Sequence, residues 1–173
     1  MKDLGTLVHF LGIHFTQSDG CVKMSQEAYV HRILESFNMQ NCKPRETPCD
    51  QKLSYTEDAV KMCDVKMHRE AVGSLIYLTT CTRPDLSFVV SKLSQYFCEP
   101  TEEQWVTVKN VLRYLRGTTN RELCFRRNNS KELGRVAYSD ADWATDTTDR
   151  RSTTGYCVRL SKNSAFKLRN SLQ

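Results

Sequence analysis

Four carboxylates, Asp140, Asp142, Asp146 and Asp149, crowd the stretch YSDADWATDTTDRRSTTGY at residues 138–156, beside Trp143. A short apolar run at 136–138 leads into it and another at 156–160 follows it. Carboxylates at the end of a buried strand can hold Mg²⁺, which demands hard oxygen ligands in near-octahedral geometry. Composition alone favours a different account. Asp, Ser, Thr and Gly are ordinary turn residues, and a polar hairpin loop would use the same letters.

Other chemistry is harder to assemble. The eight cysteines are scattered at 21, 42, 49, 63, 81, 98, 124 and 157 without a C-x-x-C pair, and the histidines at 9, 14, 31 and 68 show no ligand spacing with them. Structural zinc wants closely paired ligands, so these read as reduced thiols. The net charge of +5 is uneven: residues 126–173 hold 10 Lys+Arg against 5 Asp+Glu, while residues 1–125 balance. A basic C-terminal third can meet a phosphate backbone or simply be a solvated face. With 39% apolar and 26% charged residues the chain reads as globular, not as a disordered tail. No window is long and apolar enough to span a bilayer. The N-terminus has no small-residue cleavage site, so no signal peptide is expected. An intracellular protein, in cytoplasm or nucleus, is the expectation.

The elements that would position these residues follow from periodicity. Residues 6–15, TLVHFLGIHF, read as a buried strand, with Gly12 marking a bulge or a close backbone approach. Ser18-Asp19-Gly20 is a hairpin turn into a returning strand at 21–24. Ser25 caps a helix to about residue 38, with Tyr29, Ile33, Leu34 and Phe37 on one face. Residues 40–66, containing Pro44 and Pro48, form an extended connection draped over a surface. Helices are expected at 68–80, at 84–98 opening on Pro84, and at 102–116 from a Thr101/Gln104 capping box to Gly117. The period then changes to that of strands, at 123–126, 135–138, 155–160 and 165–168. The boundary between helical and β parts falls near 118–130.

Five segments carry a resemblance to the polymerase polyprotein of copia-type long-terminal-repeat retrotransposons. They are MKDLGTLVHFLGI at 1–13, SQEAYVHRILESFNMQNCKPRETP at 25–48, REAVGSLIYLTTCTRPDLSFVVSKLSQYF at 69–97, QWVTVKNVLRYLRGT at 104–118 and YSDADWATDTTDRRSTTGYCV at 138–158. They stand in family order and cover nearly all of the chain. The fold class this implies is α+β: a palm-end β-hairpin and thumb and connection helices, followed by an incomplete ribonuclease H-like antiparallel sheet. Residues 1–24 would be the end of the reverse-transcriptase palm, 25–66 a thumb helix and linker, 67–120 a helical connection, and 121–173 a truncated ribonuclease H-like domain.

The resemblance also assigns roles. The strand and its return at 6–24 would grip the primer terminus, with Gly12 letting the backbone approach nucleic acid. Arg150 and Arg151 would touch the backbone of an RNA:DNA hybrid, which is recognised by shape and by 2′-OH groups. Asp140 matches the first ribonuclease H carboxylate, with Asp142 as a supporting neighbour. The implied cofactor is Mg²⁺, bound as two ions by a carboxylate cluster. The partner is nucleic acid, RNA:DNA hybrid or DNA.

Departures from the family limit the expected activity. The paired polymerase aspartates have no counterpart here, since the only Asp before residue 19 is Asp3. After Asp149 there is neither Asp nor Glu. Asp140 alone would hold Mg²⁺ weakly, because that ion keeps its waters and needs several oxygens. The expectation is a retroelement polyprotein fragment that neither copies nor cuts nucleic acid, with Asp140 a vestigial ligand. The alternatives are a non-catalytic nucleic-acid-binding module and a piece of a larger active reverse transcriptase/ribonuclease H.

Overall fold

A computed structural model of the chain describes residues 5–50, 53, 55, 59–61, 64–126, 135–141, 153–160 and 166–172. Helices and antiparallel sheets coexist in it, as an α+β fold requires. The chain opens with β1 (His9–Phe10), β2 (Ile13–Ser18) and β3 (Cys21–Ser25), followed by α1 (Glu27–Ser36). After a long connection come α2 (Val65–Cys81), a 3-10 turn at Pro84–Leu86, α3 (Ser87–Ser94) and α4 (Glu102–Gly117). Four further strands complete it: β4 (Leu123–Arg126), β5 (Arg135–Ala141), β6 (Thr153–Leu160) and β7 (Phe166–Leu172).

Residues 6–15 are not one buried strand. The chain reverses at Leu11-Gly12, and His9 pairs with His14 and Phe10 with Ile13. Both turn residues have positive φ, 48° and 69°, the signature of a two-residue type I′ turn. Leu7, Val8, Phe10 and Leu11 are exposed, and Ile13 alone of this run is buried. A turn that needs left-handed backbone twice is easily misread as a strand when its first residue is Leu and not Asn.

Helix α1 begins one residue later than a Ser25 cap implies. Gln26 is the N-cap, although the Ser25 hydroxyl still accepts from the Glu27 amide at 3.2 Å. It ends on Asn38 in the left-handed region, φ 55°. There the Met39 amide returns to the Leu34 carbonyl (2.7 Å) and the Asn38 amide to that of Glu35 (3.0 Å). This satisfies carbonyls that the helix end would otherwise orphan. In α4 the expected capping box is present, with the Gln104 side chain accepting from the Thr101 amide at 2.6 Å. Helix α2 starts earlier than periodicity suggests, because the Asp64 side chain accepts from the Met67 amide at 2.8 Å.

The four helices share one core. Val30 and Leu34 of α1 meet Ala71, Val72, Leu75 and Leu78 of α2, Val89 and Leu93 of α3, and Val108, Leu112 and Leu115 of α4. Each side chain fully buried here contributes about 1.5–3 kcal/mol relative to exposure. The long connection is strapped along α4. Arg113 Nε donates to the Lys43 carbonyl at 2.9 Å, and the Glu102 amide donates to the Val60 carbonyl at 2.9 Å. Gly117 ends α4 where a Cβ would come within 3.1 Å of Pro44 Cβ.

Strand β4 has an unexpected partner. The sequence groups it with the later strands, but its residues pair with β3, from Cys21 with Arg126 to Met24 with Leu123. The N-terminal sheet therefore has the order β1-β2-β3-β4, and β5-β6-β7 form a separate antiparallel sheet. Among the described residues no helix is long and apolar enough to cross a membrane.

At the corner between α2 and α3 lies a buried ion pair. Arg83 is only 2% exposed. Its Nε and Nη2 donate to the two Asp85 carboxylate oxygens at 3.0 and 2.9 Å, a bidentate fork. Its remaining donors reach the Thr118 carbonyl (3.0 Å) and hydroxyl (2.8 Å) beyond the end of α4. Tyr114 Oη donates to Asp85 at 2.7 Å and accepts from Arg121 Nη1 at 2.7 Å. Burial by itself would raise the Asp85 carboxyl, but Arg83's hydrogen bonds and charge, with the Tyr114 hydroxyl, hold it below the ordinary range.

His68 of α2 is the opposite case. Its side chain is fully buried and neither ring nitrogen has a hydrogen-bond partner among the described residues. Burial pushes its pKa below the usual 6.5, so it is held neutral.

Two consequences are measurable by urea unfolding against pH. The unfolded chain takes up the His68 proton first, so stability falls as the pH drops below 6.5, and His68→Leu removes that step. Asp85's contribution is complete above its ordinary value of 3.8 and is lost as the pH falls through its depressed folded value. At neutral pH Asp85→Asn leaves the Arg83 charge buried without its counter-ion and lowers stability by about 2–3 kcal/mol.

Candidate nucleic-acid interface

The β1–β2 turn and the first turns of α1 enclose an open cleft of about 550 Å³. His9, Gly12 and His14 line it from the hairpin, and Ser25, Gln26, Glu27, Ala28, His31 and Arg32 from the strand-to-helix junction. Three of the four histidines of the chain therefore converge on one surface. His9 and His14 face each other across the turn, with ring centroids 4.7 Å apart. His31 Nε2 lies 3.9 Å from Glu27 Oε1, one helical turn away.

Sequence spacing missed this convergence, yet it left a mark. HFLGIHF is nearly symmetric about Leu11-Gly12, and residues five apart flank a two-residue turn as partners. Gly12, expected to allow a close backbone approach, sits on the wall of the cleft with positive φ. A Cβ there would lie 3.6 Å from Tyr77 Oη, an ordinary contact, so the constraint at Gly12 is its backbone conformation and not lack of space.

The turn is held from behind by α2. Tyr77 Oη donates to the Leu11 carbonyl. The Tyr77 ring stands edge-on to Tyr29 of α1, with centroids 5.1 Å apart. The Tyr29 face in turn lies under the Arg32 guanidinium, 5.4 Å from the ring centroid. One line of contacts thus fixes the hairpin tip, α1 and the permanent cation of the cleft relative to each other. Imidazoles, a guanidinium and helix N-terminal amides are all hydrogen-bond donors to phosphate oxygens.

Asp140 lies elsewhere. It is an exposed residue of β5, directly opposite Gly155 of β6. Asp142, Arg150 and Arg151 fall outside the described residues. Among the described residues there is no group of three or more His, Cys, Asp or Glu that could hold a metal ion. Asp140, the candidate ligand among the described residues, supplies by itself fewer oxygens than Mg²⁺ needs.

Comparison with known proteins points in one direction. The family described as "Reverse transcriptase (RNA-dependent DNA polymerase)" matches residues 1–51, the span that contains the hairpin and α1. The retrovirus-related Pol polyprotein from transposon TNT 1-94 of Nicotiana tabacum is 40% identical over 93% of the chain. The corresponding polyprotein from transposon RE2 of Arabidopsis thaliana is 42% identical over 92%. The chain spans only 13% and 11% of the length of these two polyproteins. An uncharacterized mitochondrial protein of Arabidopsis thaliana is 40% identical over 94% of the chain, which spans 67% of that protein. No solved structure matches.

The turn residues respond to substitution in opposite directions. Leu11 is 69% exposed and adopts a left-handed conformation that costs a non-glycine residue about 1–2 kcal/mol. Leu11→Asn, the residue type I′ turns favour, is therefore expected to raise stability by about 1 kcal/mol. Gly12→Val places a β-branched residue at φ 69° and is expected to lower stability by about 1–3 kcal/mol. Chemical denaturation of the two variants beside the parent chain checks both signs.

Proposed function

The chain belongs to the family of retrovirus-related Pol polyproteins from copia-type transposons, and from that premise we propose that it positions nucleic acid without itself copying or cutting it. The observation that carries this reading is a coincidence of place. The span matching the reverse-transcriptase family, residues 1–51, is the span that builds the cleft of His9, His14, His31 and Arg32. In this reading β1–β3 are the primer-gripping hairpin at the end of a palm. Helices α1–α4 are the thumb and its connection, and β5–β7 open a ribonuclease H-like sheet.

The chemistry of binding follows from the cleft. A nucleic-acid 3′ end brings a phosphate backbone and a terminal sugar. Arg32 supplies a positive charge pre-oriented by the Tyr29 ring. The turn of Leu11-Gly12 supplies exposed backbone and an apolar surface, Leu7, Val8, Phe10 and Leu11, against which a nucleotide can lie. Such contacts place the strand and carry no sequence information. Arg150 and Arg151 are proposed to touch the backbone of an RNA:DNA hybrid.

The case against catalysis by these residues is one of ligand count. Phosphoryl transfer through two Mg²⁺ ions needs several carboxylates converging on one point. The paired aspartates of the polymerase motif do not occur within the 173 residues, and Asp140 has no carboxylate partner among the described residues. Asp140 with Asp142 is kept as a vestigial pair.

Fluorescence anisotropy of the chain with a short labelled RNA:DNA hybrid tests the proposal. Binding is expected to weaken linearly in log salt, and Arg32→Gln to weaken it several-fold and reduce the salt slope by about 1. Salt-independent binding, or an Arg32→Gln chain that binds as well as the parent, sinks the assignment of this cleft. Mg²⁺-dependent cleavage of the hybrid that is lost in Asp140→Asn replaces it with the nuclease reading.

A further inference from the structure

Cys21 and Cys124 are 103 residues apart in the chain, and their sulfurs lie 3.1 Å from one another. We propose that they form a peroxide-sensitive dithiol, in which one sulfur attacks the oxidant and the other closes the disulfide. The β3–β4 register sets the arrangement. Lys23 stands opposite Cys124 and Arg126 opposite Cys21, so all four side chains share one face of the sheet. The cysteines are diagonal neighbours on that face, each beside a cation. Both are partly exposed, and both are free thiols.

The surroundings favour one thiolate within the pair. A thiolate is the reactive form of cysteine, and a neighbouring donor or cation stabilises it. Each sulfur lies within hydrogen-bonding reach of the other, so whichever loses its proton is stabilised by its partner's S–H and by the charges of Arg126 and Lys23. Lys23 is kept over the pair by Glu122, 3.2 Å from its Nζ.

The chemistry balances with hydrogen peroxide as the oxidant. The thiolate of one cysteine attacks one peroxide oxygen, the O–O bond breaks, and hydroxide leaves and is protonated to water. That cysteine is then a sulfenic acid. The sulfur of the other attacks it, the S–O bond breaks, and a second water leaves with the proton of the second thiol. Two thiols and one peroxide become one disulfide and two waters, the sulfurs oxidised and the peroxide reduced. The sulfurs must approach by about 1 Å to reach a disulfide bond length. β4 is an edge strand, bonded to β3 on one side only, so it is the element free to move.

The test is an internal competition on the unmodified full-length chain. Exposed Cys98 serves as the reference thiol. The folded, reduced protein is treated with sub-stoichiometric hydrogen peroxide, alkylated and mapped by mass spectrometry. The expected product is a reducible peptide pair joining residues 21 and 124, formed about ten-fold faster than Cys98 is modified. In Cys21→Ser, with an unchanged circular dichroism spectrum, oxidation is expected to stop at a Cys124 sulfenic acid that dimedone traps. A 21–124 bond that forms no faster than Cys98 reacts, or cross-links spread over other pairs, overturns the proposal.

Discussion

The Arg83 guanidinium is almost wholly withdrawn from water, and the corner between α2 and α3 exists in its observed form because each of its three nitrogens has a hydrogen-bond partner. A charge in that position is tolerable only with a counter-ion and a full set of hydrogen bonds. Asp85 supplies the first, and Thr118, just past α4, completes the second. Pro84 sits between the two ions and admits only a narrow range of backbone angles, so their spacing is set before the tertiary contacts form. The network therefore joins three things at once: the end of α2, the start of α3 and the end of α4. Next to it the Thr82 hydroxyl donates to the Gln26 side chain at 2.7 Å, which carries the same corner to the N-terminus of α1. The cleft beside the hairpin takes its shape from that chain of contacts.

Rigidity and exposure divide the molecule in a consistent way. The helical core is closed by apolar side chains and by satisfied helix ends. The hairpin β1–β2 has little core of its own, keeps most of its apolar residues in solvent and depends on the Tyr77 hydroxyl to hold its tip. In the role proposed for it, meeting a long, variable polymer, such an element gains by presenting backbone and apolar surface from a fixed base. Arg32, exposed but laid over the Tyr29 ring, follows the same logic.

Local patterns carried much of this fold and missed what is long-range. Helices α2–α4 were legible because Leu75, Val89, Leu93, Val108 and Leu112 recur at helical spacing, and because Thr101 and Gln104 announce a helix start. The tight turn at Leu11-Gly12 was not, since an apolar run with one glycine suits a strand as well as a reversal, and only the mirrored histidines distinguish them. The pairing of β4 with β3 leaves no trace in either segment, because a strand's letters record which face is buried and not which strand lies beside it. The Arg83–Asp85 pair was written plainly within TRPDL, but its weight depends on Thr118 and Tyr114, more than two dozen residues away. As for the cleft, Gly12 was singled out from sequence and lies on its wall. His9, His14, His31 and Arg32 were not, because they come together only once the turn and α1 are folded against each other.

The partnership of β3 with β4 also orders events in time. While the chain is being synthesised, β1–β3 emerge first and can pair as a meander, leaving the outer edge of β3 with open amides and carbonyls. That edge finds its partner only after α1–α4 have been made, since the strand that covers it lies beyond the last helix. Contacts within the helical segment are nearer in sequence and close sooner. The helices thus act as a folding intermediary that delivers β4 to a waiting edge. Until it arrives, the newborn chain carries an unsatisfied strand open to pairing with a neighbouring copy.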